Sequence, residues 1–129
     1  MKRIFLLLFM VFALSGCNDF SGQEIRYTLT TGTTGQNEIN EITKKFTISD
    51  AISFELEGNK EIGTPIKILI IKHNNGKESI ISSYDEDIDL TWGWVHYSFG
   101  NFDEMGEYSF RVFNTNNKLL GESRFTVTD

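Results

Sequence analysis

The sequence predicts an all-β fold, a β-sandwich of seven or eight short strands, and three observations carry that prediction. Apolar and polar residues alternate with a period of two in segment after segment, the pattern of half-buried strands. Clusters rich in Gly, Asn and Asp punctuate those segments at short intervals. No long stretch carries the 3.6-residue period of a helix, and the 129 residues include a single proline.

The first segment is of another kind. The chain opens MKRIFLLLFMVFALSGC, with Lys2 and Arg3 ahead of an unbroken apolar run of eleven residues, 4–14. A helix crossing a bilayer core takes roughly 20 such residues, so the run fits the apolar region of an export signal instead. It ends in Leu14-Ser15-Gly16-Cys17. This motif resembles the lipobox of bacterial lipoprotein signal peptides, and the resemblance covers the first 17 residues. It implies that Cys17 receives a diacylglyceryl group on its sulfur and that residues 1–16 are cleaved away. The protein would then sit lipid-anchored on the extracytoplasmic face of the cell membrane, or on an outer membrane in an organism with two. The competing reading is an ordinary cleaved signal with an incidental cysteine. Cys17 is the only cysteine, so no intramolecular disulfide can form. A free thiol is a liability in an oxidising compartment, and a thioether removes it. Two acyl chains anchor stably where one is marginal.

Cleavage would leave 113 residues, enough for one domain. Lys2 and Arg3 leave with the signal, so 10 of the 12 basic side chains remain against 18 acidic ones, a net charge of −8. That balance argues against nucleic acid, whose binding rests on neutralising phosphates. It also argues against a broad basic patch on anionic lipid.

Past the anchor, residues 18–23 read as a polar tether. Residues 24–31 alternate as a strand, with Ile25, Tyr27 and Leu29 on one face, and residues 32–37 (GTTGQN) read as a turn. In a second reading the tether runs on to about Asn40. Residues 17–43 are therefore assigned to the lipidated cysteine, the tether and a candidate N-terminal strand, and residues 44–129 to the sandwich. Within it, residues 45–48 form a short strand, and 51–57 turn Ile52, Phe54 and Leu56 inward. A loop over 59–64 and Pro65 precede IKILIIKH (66–73), apolar on both faces and so central in its sheet. Asn74-Asn75-Gly76 signals a hairpin, because Asn and Gly tolerate positive φ. Strands over 78–84, 89–99, 107–114 and 119–128 complete the set, with a turn over 115–118.

Glu104-Met105-Gly106-Glu107-Tyr108-Ser109-Phe110 resembles the Asp-x-Gly-x-Tyr-x-Cys entry to strand F of immunoglobulin-like domains. The resemblance spans roughly residues 44–129. It implies a tyrosine corner, with the Tyr108 hydroxyl bonded to backbone. Glu104 departs from the pattern's aspartate and Phe110 from its disulfide cysteine, and there is no cysteine near Phe54. These departures remove the antibody-type subfamily. Residues 121–127 (GESRFTV) resemble the closing strand of such modules, with Phe125 and Val127 inward.

Counting back from Tyr108 along the resembled pattern puts Val95 and Tyr97 inward, with Phe99 and Phe102 closing one end of the core. Alternation then sends Trp92, Trp94 and His96 to the outer face. Exposed tryptophans usually mark a contact, which makes these three the candidate ligand-binding residues. Two structural readings compete: a bulge at Gly93 that turns the indoles inward, and coverage by the N-terminal strand.

Other chemistry is thin. Four carboxylates crowd residues 85–89 (DEDID), but the calcium-loop template fails at Leu90 and His96. His73 and His96 lack zinc spacing. No nucleophile elbow or phosphate loop appears. The sequence thus points to a non-catalytic envelope module without cofactor or metal. It would bind a protein or peptide, or alternatively a glycan or the cell wall. A protease inhibitor presenting residues 114–118 is a third reading.

Overall fold

The computed structural model describes residues 26–129. The export signal, Cys17, the expected tether and the first two residues of the expected first strand lie outside the described residues. Nine strands follow in order: β1 (Tyr27–Thr34), β2 (Ile39–Ile42), β3 (Lys45–Thr47), β4 (Ala51–Gly58), β5 (Ile66–Asn74), β6 (Lys77–Glu86), β7 (Trp94–Asn101), β8 (Gly106–Asn114) and β9 (Leu119–Thr128). They form two sheets, ordered β2-β1-β4-β7 and β3-β9-β8-β5-β6. All pairings are antiparallel except the parallel one between β3 and β9.

The sheets pack face to face because alternation gives each an apolar side. Leu29, Phe54, Leu56 and Val95 from the first sheet join Ile68, Ile70, Phe110, Val112, Phe125 and Val127 from the second in one buried cluster. Phe54 meets Phe110 between the layers with ring centroids 5.1 Å apart, and Phe110 meets Phe125 at 4.8 Å. Burying each such ring stabilises the fold by roughly 1.5–3 kcal/mol. Tyr108 is 2% exposed, and its hydroxyl donates to the Glu104 carbonyl at 2.7 Å.

The chain departs from the expected elements at its start. The turn expected over residues 32–37 begins three residues late, since β1 continues through Gly32 to Thr34. The reason is close approach: a Cβ on Gly32 would collide with the Ile39 side chain and the Glu41 carbonyl. The glycine thus lets β2 pack against β1, and β2 forms where the longer tether was the alternative. β1 is also hydrogen-bonded to β4 along its length, so the first sheet takes in residues ahead of Lys44. With β2 added, the described residues hold nine strands where seven or eight were expected.

The segment that is apolar on both faces at its centre, β5, is interior, flanked by β6 and β8. Asn75 and Gly76 both take positive φ at the β5–β6 turn. β6 is the edge strand, and it leaves Ile80, Ile81 and Tyr84 exposed. A bulge interrupts its pairing between Ile70 and Ile71.

Candidate functional site

The candidate site is built from β7, its neighbour β4 and the loop that precedes β7. Phe54, Leu56 and Val95 point into the core, so their strand neighbours point out. Cross-strand register sets Glu57 beside Trp94 and Glu55 beside His96, without a shift between Phe54 and Glu57. Thr28 and Thr30 of β1 extend the same two rows. The irregularity in β7 lies at its other end, between the partners of Ala51 and Ser53. Gly100 there takes a φ of 74°, which a glycine adopts freely.

Trp94 and His96 thus share the outer face of the first sheet. Their ring planes lie 12° from parallel with centroids 6.4 Å apart. The His96 Nε2 is enclosed and has no hydrogen-bond partner. Trp94 remains 42% exposed. A Gly93 bulge does not turn it inward, and β1 does not cover it, because β1 lies on the far side of β4.

Trp92 requires a correction. Strand β7 begins at Trp94, so Trp92 stands in the preceding loop and not on the strand. Backbone bonding to another loop takes it out of the ladder. The Trp92 carbonyl accepts from the Ile62 amide at 2.8 Å, the Gly93 carbonyl accepts from the Gly58 amide at 2.8 Å, and the Trp92 amide donates to the Asp89 carbonyl at 2.9 Å. A Cβ on Gly93 would lie 3.0 Å from the Lys60 carbonyl oxygen, a tight fit. The Asp89 carboxylate accepts from the amide and hydroxyl of Thr91, which holds its pKa below the ordinary carboxylate value. Trp92 is 50% exposed even so, and Leu90 beside it is exposed too. Thr91, Trp92, Gly93 and Trp94 line an open, mainly apolar depression.

Charge differs between the two outer faces. On the second sheet, both arginines are paired with acids: Arg111 reaches both Glu78 and Glu122, and Arg124 reaches Glu107. The Arg111 guanidinium lowers the pKa of Glu78. His73 joins this network, its Nε2 lying 2.8 Å from the Ser109 hydroxyl. On the first sheet, the outward positions beside Trp94 and His96 carry Glu55 and Glu57 and no base. The arrangement can stack flat or cationic groups on an indole, and it can accept hydrogen bonds from them.

Among the described residues, no group of three or more His, Cys, Asp and Glu is placed to hold a metal ion. The acidic run divides between the end of β6 and the loop that follows. The 114–118 turn is tied internally, with the Asn114 side chain accepting from the amides of Asn116 and Lys118. Sequence reasoning missed Leu90, Glu55 and Glu57. Alternation could have found the two glutamates, because both already pointed outward on the strand carrying Phe54.

Residues 1–18 match a family model described as the prokaryotic membrane lipoprotein lipid attachment site. A lipid attachment site thus precedes the all-β, two-sheet structure of residues 26–129, and it supports a lipid-anchored, membrane-associated protein. The search of curated proteins returned no match for this chain.

Proposed function

We propose that this lipoprotein is a non-catalytic, extracytoplasmic binding module with an immunoglobulin-like sandwich, taking a protein or peptide on the sheet face that carries Trp94 and His96. The observation that carries the reading is the exposure of Trp94, 42%, beside His96 on the outer face of the first sheet. Large exposed indoles are costly to leave in water, and aromatic anchors dominate the energetics of protein interfaces. Glu55 and Glu57 favour a partner segment that carries Lys or Arg.

The immunoglobulin-like reading draws support from three features. β1-β4-β7 packs against β9-β8-β5-β6. The Tyr108 hydroxyl bonds the Glu104 carbonyl across the corner before β8. Phe54 and Phe110 meet where the related domains carry a disulfide. A glycan reading of the same face rests on the near-parallel Trp94 and His96 rings, which suit a sugar ring.

The test replaces Thr28, exposed in the row of Trp94, with a photo-crosslinking amino acid in the full lipidated chain in cells. Protein adducts that vanish on Trp94→Ala are expected. Glycan adducts would favour the second reading, and adducts indifferent to Trp94 would remove the site. Cys17→Ala should shift the protein out of the membrane fraction, and its retention there would refute anchoring through that residue.

A further inference from the structure

We infer that the loop carrying Leu90 and Trp92 seats in the interface of the bilayer that holds the lipid anchor. This goes beyond the binding reading and leaves Trp94, on the sheet face with Glu57 and His96, to the partner.

The argument begins with where the chain enters the fold. Arg26, the first described residue, is bonded to the 58–62 loop: its carbonyl accepts from the Asn59 amide at 3.2 Å, and its amide donates to the Asn59 side chain at 3.1 Å. Tyr27 pairs with Gly58. That same loop holds the aromatic one, through the bonds from Gly58 to Gly93 and from Ile62 to Trp92. Chain entry and indole therefore flank a single loop at one end of the first sheet.

The lipid attachment site spans residues 1–18, and eight residues lie between Cys17 and Arg26. Fully extended, the nine steps from one to the other reach at most about 32 Å. The end of the domain carrying Trp92 is thus the end tethered to the bilayer. What it offers that surface is Leu90 and Trp92, each about half exposed. An indole, apolar in body with one N–H donor, favours the boundary between headgroups and acyl chains. The charges near this end are mixed: Asp87, Asp89, Glu57 and Glu61 outnumber Lys60 and Arg26. Attraction to anionic headgroups is therefore not the driving force, and a zwitterionic bilayer suffices.

The test uses the full lipidated protein, reconstituted through its own anchor into phosphatidylcholine vesicles with or without bromine on the upper acyl chain. Trp94→Phe leaves Trp92 as the sole indole. Its emission is expected to lie to the blue and to be quenched by the brominated lipid. Leu90→Asp in that background should reduce the quenching. Raising ionic strength from ~0.1 M to ~1 M, which shortens the screening length from about 10 Å to about 3 Å, should leave it unchanged. Equal emission on both vesicles overturns the inference, as does quenching abolished by salt. Crosslinking from Thr28 reads the partner face independently. Trp94-dependent adducts without lipid quenching would sink the bilayer contact alone, and quenching without adducts would sink the partner reading alone.

Discussion

Phe54 of β4 and Phe110 of β8 meet between the two sheets with ring centroids 5.1 Å apart, and neither ring is exposed. With no cysteine in either place, the join between the layers is made by packing. Replacing either phenylalanine with alanine should cost about 3–5 kcal/mol. The double replacement should fall short of the sum of the singles, because contacting residues are coupled by about 0.5–3 kcal/mol. Urea unfolding of the three variants measures both quantities, and full additivity would contradict the contact.

The Tyr108 hydroxyl bond to the Glu104 carbonyl should be worth about 0.5–1.5 kcal/mol, read as the cost of Tyr108→Phe at neutral pH. Burial raises the pKa of this phenol from its ordinary value of 10.0. The folded protein then keeps a proton that the unfolded chain gives up. The Tyr108 contribution is intact below pH 10 and declines as pH climbs through the raised value. Tyr108→Phe should flatten that alkaline loss, and an unchanged alkaline profile would exclude Tyr108 as its source.

Both indoles should be reachable by a water-soluble quencher when the protein is free of bilayer. In a soluble form that begins at Asn18, without lipid or detergent, acrylamide quenching of Trp92→Phe and Trp94→Phe separately should find each remaining tryptophan accessible, with red-shifted emission. A protected, blue-shifted Trp94 would mean that the outer face is covered.

Gly32→Ala should destabilise the first sheet by more than the roughly 1 kcal/mol typical of a point substitution. The new methyl meets the Glu41 backbone as well as the flexible Ile39 side chain. Hydrogen exchange should register the damage first in β2. A neutral outcome would mean that β2 yields freely.

Much of this architecture was legible because alternation is a local signal. The segments holding Phe54, Ile68, Phe110 and Phe125 declare their inward faces without knowledge of their neighbours. The Asn75-Gly76 turn declares itself through the φ angles that those residues tolerate. β2 was not legible, since a four-residue strand of Ile, Asn, Glu and Ile is defined by its partner and not by its own pattern. Trp92 illustrates the same limit. Alternation carried past the start of β7 assigns it to the strand, whereas the bonds that remove it come from residues 58 and 62, distant in sequence. Leu90 was visible in the sequence, but its relation to the chain entry depends on that same distant loop.

The bolting of the 89–93 loop also bears on how quickly and tightly anything can settle there. Three backbone hydrogen bonds and the close fit of Gly93 against Lys60 fix the main chain around Trp92 before any encounter. Docking would then sacrifice little configurational entropy in that segment. A loop so prepared meets the interface without first reordering, and how deep it settles depends on how far its side chains project and not on adaptation of its main chain.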